Sequence, residues 1–315
     1  MHENFQSIIL QSTGATSFSE TGVIQDLWSG YGKIIRIQLE NASAQSAVIK
    51  HVHWPDIKNH PRGWNSDLGH QRKLKSYQVE TTWYQQYSKT SQARLPHCYA
   101  FERQDDEVLM VLEDLDPAGF PLRKSSLQWH EIEAVLAWLA KFHASYLGQD
   151  PKGLWEVGTY WHLETRPQEL AALADQRLKE AAPAINEKLN SCHFKTLVHG
   201  DAKLANFCFA QDGAVAGLDF QYVGGGCGMK DVAYFMGSCL NEKDCERLES
   251  KILDSYFEKL QGALPQKNQD LESEWRSLYR AAWADFHRFL KGWSPGHWKI
   301  NSYSERLIAE VIKNL

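Results

Sequence analysis

The stretch from residue 197 to residue 221 constrains this chain more than any other, because it sets polar side chains at both ends of one short hairpin. An Asp-Gly pair near its centre lies between two apolar runs and is a strong hairpin signal. A tight hairpin brings its ends together, so we expect Asn206 and Asp219 to lie close to each other and near Asp201. Two carboxylates and an amide at one place suit Mg²⁺, which takes oxygen ligands and shares them with the phosphates of a substrate.

Residues 201–206 have the spacing of a kinase catalytic loop, in which an Asp is followed five positions later by an Asn. His199 stands where the His of that motif stands, and Asp219 stands where the metal-binding Asp-Phe-Gly motif begins. The order His-Gly-Asp resembles the aminoglycoside phosphotransferase and choline kinase superfamily. Leu-Asp-Phe-Gln, which ends at Gln221, and Glu-Asp-Leu at residues 113–115 most resemble its ecdysteroid kinase-like branch.

The resemblance implies an α+β, bilobal fold like that of protein kinases. Residues 1–113 are expected to form a small N-terminal nucleotide-binding lobe with an antiparallel sheet and one long helix. Residues 114–315 are expected to form a larger, mainly helical C-terminal lobe that carries the catalytic and substrate-binding residues. The implied activity is the ATP- and Mg²⁺-dependent phosphorylation of a hydroxyl group on a small molecule.

The resemblance also implies roles for the side chains of this stretch. Asp201 accepts or orients the proton of the attacking hydroxyl, because positioning matters more than base strength in phosphoryl transfer. Asn206 and Asp219 hold Mg²⁺ on the phosphates, and Lys203 neutralises charge on the transferring phosphoryl group. His199 either handles protons or braces the loop, and its apolar lead-in favours bracing.

Three β-prone segments predict the sheet of the small lobe, at residues 21–28, 33–39 and 46–52. The turn between the first two consists of Ser29, Gly30, Tyr31 and Gly32. It is either a plain hairpin turn or a loop that presents backbone N–H groups to phosphates. Ala-Val-Ile-Lys, which ends at Lys50, resembles the strand whose lysine pairs with the phosphates of a nucleotide.

Glu80 lies in an amphipathic segment, residues 70–87, that predicts a helix. A carboxylate within an apolar stripe is costly unless it is paired, and the resemblance pairs it with Lys50. A solvated glutamate at the edge of the stripe is the alternative. An apolar run that predicts a buried strand ends just before Glu113, and the resemblance assigns the main-chain groups of Glu113 and Leu115 to adenine.

Helical periodicity predicts long helices in the second part of the chain, one capped by Ser125 or Ser126, one over residues 168–190 and one over residues 242–260 capped by Asn241. An aromatic set follows them and either walls an apolar or cationic substrate or packs as ordinary core, which its helical spacing favours. This set includes Trp275, Tyr279, Trp283, Phe286, Phe289, Trp293 and Trp298.

The link from Asp219 to Asp231 is short, so it has no room for the peptide-docking segment that a protein kinase places there. This favours a small-molecule acceptor. The glycines at residues 224–226 supply either flexibility or a close backbone approach. The resemblance gives Asp231 the role of holding the catalytic loop in shape. Gln221 replaces an acid of choline kinases, which weakens the case for choline and leaves neutral alcohols and sugars open.

Bulk properties narrow the class of protein further. A chain of 315 residues has room for two lobes, and its formal net charge of −5 argues against a general nucleic-acid binder, which needs a basic surface. No apolar run approaches the roughly 20 residues of a membrane helix, and the N-terminus does not have the pattern of a signal peptide. The six cysteines include no C-x-x-C pair. We expect a cytoplasmic protein with no membrane or obligatory protein partner.

Other interpretations of the same residues stay open. The constellation could be a surface hairpin with scattered polar residues, or a different metal site, since His-x-Asp also occurs in hydrolases. On the same fold, the chain could be a nucleotide-binding pseudokinase or could transfer AMP to a protein. The complete set of Lys50, Asp201, Asn206 and Asp219 argues against a pseudokinase.

Overall fold

The structure is a computed structural model that describes residues 3–27, 30–53 and 67–315, without the side chains of Glu3 and Asp67. It divides into two compact units that are interleaved along the chain. The first comprises residues 1–75, 95–122 and 208–216, and the second comprises residues 76–94, 123–207 and 217–315. The assignment of residues 1–113 to nucleotide binding and of residues 114–315 to catalysis stays a prediction.

Within the described part of the first unit, one helix precedes a five-stranded antiparallel sheet. These elements are α1 (Glu3–Thr13), β1 (Ser17–Asp26), β2 (Gly32–Glu40), β3 (Ser46–His53), β4 (Cys98–Gln104) and β5 (Glu107–Glu113). The strand order is β1-β2-β3-β5-β4. Phe5 and Ile9 of α1 are buried in one cluster with Ile37 and Ile49 of the sheet. The α+β class and the antiparallel sheet are thus as predicted.

The sequence signals for this sheet were strongest where burial alternates. In β2, Ile35, Ile37 and Leu39 are buried, while the residues between them are half-buried or exposed, which is the period of two that a one-sided sheet requires. The predicted strands near residues 21–28, 33–39 and 46–52 correspond to β1, β2 and β3, except that residue 28 lies outside the described residues. In contrast, β4 was not predicted, because all but one of its residues are half-buried and its pattern shows no alternation.

Helices make up most of the second unit. A helix that runs into it from the first unit, α2 (Asp67–Thr82), is followed by α3 (Trp129–Ser145), α4 (Pro167–Ala172), α5 (Gln176–Asn190), α6 (Met229–Cys239), α7 (Glu242–Ala263), α8 (Gln269–Trp293) and α9 (Ser302–Lys313). Short strands lie between α5 and α6, namely β6 (Thr196–Val198), β7 (Phe207–Phe209), β8 (Val215–Gly217) and β9 (Gly224–Gly226). The mainly helical C-terminal part is therefore confirmed.

Two details of the helix predictions were wrong. The cap of α3 is Gln128 rather than Ser125 or Ser126, and its main-chain N–H donates to Glu131 Oε2 at 2.7 Å. The single helix predicted over residues 168–190 is two helices, α4 and α5.

Two other helix predictions agree with the structure. The N–H of Asp244 donates to the Asn241 side chain at 3.0 Å, so the cap predicted for α7 is confirmed. The helix predicted over residues 70–87 is present, but it changes at Trp83 from an α-helix to a π-helical turn.

Most of the C-terminal aromatic set is core, as its helical spacing indicated. The buried members are Trp275, Tyr279, Trp283, Phe286 and Phe289. Trp293 and Trp298 are 45% and 59% exposed. Of the helices that the structure describes, none has both the length and the apolar character needed to cross a membrane.

Candidate active site

The loop that carries Asp201 begins directly after β6, which pairs with β9. Gly200 has a φ of 78°, and a Cβ there would overlap the carbonyl oxygen of Tyr222, so only glycine fits. A close approach also accounts for Gly224, where a Cβ would overlap the carbonyl oxygen of Trp155. A Cβ on Gly225 would likewise overlap the carbonyl oxygen of Glu156, so Gly224 and Gly225 serve close packing of the backbone.

A buried carboxylate, Asp231, holds the start of this loop. It accepts hydrogen bonds from the main-chain N–H groups of His199 at 2.6 Å and Gly200 at 2.9 Å. His143 Nε2 donates to it at 3.0 Å, and the Tyr256 hydroxyl donates to His143 Nδ1 at 2.8 Å. The side chains of Asp231, His143 and Tyr256 are fully buried. Asp231 therefore fixes the shape of the loop, as its sequence position indicated.

His199 is fully buried, and both of its ring nitrogens contact the main chain. Nε2 donates to the carbonyl oxygen of Leu218 at 3.1 Å, and Nδ1 accepts from the N–H of Asp201 at 3.2 Å. A neutral imidazole has one donor and one acceptor, so no ring nitrogen is left for proton transfer with a substrate. This geometry supports the bracing role of His199.

Asp201 lies at the centre of the site and is 5% exposed. Its Oδ2 accepts hydrogen bonds from Lys203 Nζ at 2.8 Å and from Asn206 Nδ2 at 3.1 Å. Its Oδ1 is buried and has no hydrogen-bond partner among the residues that the structure describes. Burial raises the pKa of this carboxyl, Lys203 opposes the rise, and Asp219 adds to it. A buried carboxylate oxygen of raised basicity fits an acceptor for the proton of a hydroxyl group.

The β7–β8 hairpin brings the segment of Asn206 next to the segment of Asp219, as the Asp-Gly turn predicted. The N–H of Leu218 donates to the carbonyl oxygen of Asn206 at 3.0 Å and closes the base of the β7–β8 pair. Asp219 has a φ of 69°, a left-handed conformation that is uncommon outside glycine and often found at functional sites. The Asp219 carboxylate contributes to the raised pKa of Asp201.

Gln221 orients the carboxylate of Asp219. Its Nε2 donates to Asp219 Oδ1 at 2.9 Å, and its Oε1 accepts from the Ser76 hydroxyl at 3.2 Å. The Gln221 side chain is buried. The sequence marked this residue only as a departure from choline kinases, whereas the structure shows it supporting the predicted metal ligand.

The oxygen atoms of this site fit an open Mg²⁺ site better than a metal centre in which protein side chains supply all the ligands. Across residues 3–27, 30–53 and 67–315, no three His, Cys, Asp or Glu side chains form a cluster that could hold a metal ion. The amide nitrogen of Asn206 is used by the Asp201 carbonyl and carboxylate, so its Oδ1 is the atom that can bind a cation. Asn206 Oδ1 and the Asp219 carboxylate are hard oxygen ligands. Mg²⁺ usually completes its coordination with oxygens of water and phosphate.

A pair of tyrosines lies beside the catalytic loop. The main-chain N–H of Tyr160 donates to the carbonyl oxygen of Gly200 at 3.2 Å, and the Tyr160 hydroxyl donates to the Tyr234 hydroxyl at 3.2 Å. Burial, and after it the Asp201 carboxylate, raises the pKa of both tyrosines. Both hydroxyls therefore stay protonated near Asp201.

Lys299, in the link between α8 and α9, lies beside the tyrosine pair, with its Nζ 5.3 Å from the ring centroid of Tyr234. Burial lowers the pKa of Lys299 to about 8; the Asp201 carboxylate and the Cys239 thiol oppose this, and Lys203 contributes to it.

The pKa of Lys299 predicts a dependence of stability on pH. The folded-state pKa of about 8 lies below the ordinary value of 10.5. Between these two values the unfolded chain binds more protons than the folded chain, so Lys299 makes the free energy of unfolding rise with pH. Urea unfolding of the wild type and of Lys299→Met across this window should show the wild type gaining stability relative to the variant. Parallel curves would contradict the burial of the ammonium group.

The predicted phosphate-binding turn is described only in part, since Ser29 lies outside the described residues. Gly30 and Gly32 have φ values of 75° and 122°, and a Cβ on Gly32 would overlap the main chain of β3. Tyr31 is buried, and its hydroxyl contacts His70 Nδ1 at 2.5 Å. The glycine at position 32 is thus required by strand pairing, and the contact of this turn with phosphates stays a prediction.

Lys50 on β3 and Glu80 on α2 are 3% and 1% exposed. They belong to different compact units, and their ion pair stays a prediction. At the end of β5, the N–H of Glu113 donates to the carbonyl oxygen of His97 at 2.8 Å, and the carbonyl of Leu115 accepts from an N–H in the following turn at 2.8 Å. Their contacts with adenine stay predictions as well.

Sequence reasoning missed Tyr160, Tyr234 and Lys299. They lie on three segments that only the fold brings together, and no motif or spacing connects them. For Gln221 a signal was available, because a buried amide two residues after a metal-binding Asp can hydrogen-bond that carboxylate.

The α+β fold, with its antiparallel sheet followed by a mainly helical part, is that of the kinase-like phosphotransferases. A sequence profile of the ecdysteroid kinase-like family matches residues 33–149 and 157–269, which together are well over half of the chain. The chain belongs to the ecdysteroid kinase-like family, and its class is that of the small-molecule kinases.

Solved structures share the fold at low sequence identity. A thermostable mutant of the aminoglycoside phosphotransferase APH(4)-Ia, in a ternary complex with ADP and hygromycin B, is 12% identical over 98% of this chain and 97% of its own, with a TM-score of 0.52. The macrolide 2'-phosphotransferase MphH from Brachybacterium faecium is 13% identical over 98% of this chain and 97% of its own, with a TM-score of 0.50. A comparison with curated proteins gave no match.

Proposed function

We propose that this protein transfers the γ-phosphoryl group of ATP to a hydroxyl group of a small molecule, with Mg²⁺ as cofactor and Asp201 as the base. The observation that carries the proposal is the state of Asp201. Its Oδ1 is buried and lacks a partner within the described residues, while its Oδ2 is held by Lys203 and Asn206. One oxygen is thus fixed by the protein and the other is left for a substrate.

Each side chain of the site has a distinct task in this proposal. Asp201 Oδ1 orients the acceptor hydroxyl and takes its proton as the new P–O bond forms. Lys203 places positive charge next to the transferring group, whose oxygens carry the charge of the loose transition state. Asn206 Oδ1 and the Asp219 carboxylate would hold Mg²⁺, which when bound neutralises charge on the β- and γ-phosphates.

An adenine nucleotide is the donor that the comparisons support. The APH(4)-Ia complex contains ADP. In this chain, the main-chain groups of Glu113 and Leu115 are the proposed adenine contacts. Lys50, oriented by Glu80, is the proposed contact for the phosphates, together with the glycine-containing turn at residues 29–32.

A small acceptor rather than a protein is supported by the link between Asp219 and Asp231. The middle of this link is β9, which pairs with β6 and packs against the main chain near Trp155. A segment held in this way is not available to dock a peptide. We propose a cytoplasmic enzyme that needs no obligatory protein partner.

The experiment is a screen of alcohols, sugars and amino alcohols with ATP, Mg²⁺ and the purified protein. We expect at least one compound to gain a phosphoryl group, detected by mass spectrometry, with ADP formed in equal amount. Binding of ADP and Mg²⁺ without any phosphorylated product would instead favour the nucleotide-binding pseudokinase.

Gln221 provides a test of the metal site. Gln221→Leu keeps the size of the side chain but removes the hydrogen bond to Asp219, and groups that orient a metal ligand change metal affinity by about 10- to 100-fold. We expect the Mg²⁺ concentration for half-maximal activity to rise by about tenfold, with kcat at saturating Mg²⁺ less affected. Gln211→Leu, in the exposed hairpin turn, is the matched control. An unchanged Mg²⁺ dependence in Gln221→Leu would separate Asp219 from the metal.

A further inference from the structure

Lys299 lies beside the catalytic loop, although the proposed mechanism does not use it. Its main chain is fixed in the link between α8 and α9, where its N–H donates to His297 Nδ1 at 3.2 Å. The side chain is half-buried, and its Nζ lies over the ring of Tyr234, whose hydroxyl is hydrogen-bonded to Tyr160 next to Gly200 of the catalytic loop. A charged side chain held at such a place acts on any acceptor that approaches Asp201.

The ammonium group of Lys299 is held by aromatic rings rather than by an acid. Its Nζ lies 5.3 Å from the ring centroid of Tyr234, 5.7 Å from that of Phe286 and 5.7 Å from that of Trp298. Within the described residues no carboxylate forms an ion pair with it. The Tyr234 hydroxyl, in turn, is hydrogen-bonded to Tyr160 beside the catalytic loop.

This arrangement determines which acceptors the site can tolerate. A quaternary ammonium ligand is recognised by the faces of aromatic rings, and here the ammonium group of Lys299 lies over the faces of the buried rings of Tyr234 and Phe286. Lys203 is a second cation, 2.8 Å from Asp201. An acceptor with its own ammonium group would face the like charges of Lys203 and Lys299, whereas an uncharged or anionic oxygen would accept a hydrogen bond from Lys299.

We propose that Lys299 is a specificity residue of the acceptor site. Its ammonium group binds an oxygen of an uncharged or anionic alcohol and excludes alcohols that carry an ammonium group. This inference rests on the proposed function and extends it to the class of substrate.

The experiment uses pairs of alcohols whose two members are identical except that one carries a tert-butyl group and the other a trimethylammonium group. The first pair is choline and its uncharged carbon isostere, and the later pairs have larger apolar parts. The first readout needs no turnover. Lys299 is modified with an amine-specific reagent in the presence of ADP and Mg²⁺, and its rate of modification is followed by peptide mass spectrometry. We expect uncharged members to slow this modification and their cationic partners to leave it unchanged.

The second readout is kcat/KM for each pair. In Lys299→Met, the preference for the uncharged member should fall by at least about tenfold, because the repulsion is removed. Lys299→Arg keeps the charge and should keep the preference. Lys243→Met removes an exposed lysine from α7 and controls for net charge.

The two readouts separate this inference from the proposed function. The inference is overturned if cationic members protect Lys299 as well as uncharged members do, if no member protects it, or if Lys299→Met leaves the preference unchanged. If uncharged alcohols protect Lys299 but no phosphoryl group is transferred, the specificity role stands and the phosphotransferase proposal fails.

Discussion

Asp201→Asn is expected to lower the kcat of phosphoryl transfer by about 10²- to 10⁴-fold, the usual contribution of a positioned acid or base. Asparagine has nearly the same shape and can still accept the hydrogen bonds that Lys203 and Asn206 donate to Oδ2. It cannot take the proton of a hydroxyl group at the buried Oδ1 position. The measurement is the initial rate of ADP formation with an accepted alcohol at saturating ATP.

Nucleotide binding controls for the integrity of the Asp201→Asn variant. The shift in melting temperature caused by ADP and Mg²⁺ should be similar in the variant and the wild type. Asp212→Asn makes the same substitution in the exposed turn of the same hairpin and should retain full activity. A rate in Asp201→Asn within a few-fold of the wild type would remove Asp201 from the chemistry.

Asp231→Ala is expected to have the largest effect on stability, lowering the free energy of unfolding by at least about 3 kcal/mol, because three buried donors lose their acceptor and each unsatisfied group costs about 1–3 kcal/mol. The substitution leaves the N–H groups of His199 and Gly200 and the ring of His143 without their acceptor in a fully buried place. Chemical unfolding measures the loss.

The effect of Asp231→Ala should also be local to the catalytic loop. Amide hydrogen exchange should accelerate in peptides that contain His199 and Gly200. Tyr256→Phe removes only the hydroxyl that donates to His143 and should cost about 1 kcal/mol. A loss in Asp231→Ala as small as that in Tyr256→Phe, with unchanged exchange in the loop, would show that Asp231 does not hold the loop.

The features that sequence predicts well here depend on neighbouring residues. The alternation in β2, the Asp-Gly turn and the cap at Asn241 are each decided within a few positions, and the structure contains all three. The prediction of a catalytic loop at residues 201–206 likewise rests on a local spacing, and that of the loop-holding role of Asp231 rests on a motif.

The features that sequence did not predict depend on distant contacts or on competing local signals. Lys299 reaches the site only because α8 and α9 position the link between them, and Tyr160 does so because its segment hydrogen-bonds to Gly200. The cap of α3 was mispredicted because serine is the commoner cap, whereas the main-chain N–H of Gln128 is bonded by the Glu131 side chain three residues later.

The most direct test of the account follows the phosphate itself. The wild-type protein is incubated with Mg²⁺ and an accepted alcohol, using ATP labelled in either the γ- or the α-phosphate. We predict that the γ-label appears in the small-molecule product and that the α-label stays in ADP, with both outcomes dependent on Asp201. Transfer of the α-label to protein, or retention of both labels in bound nucleotide, would contradict phosphotransfer to a hydroxyl group.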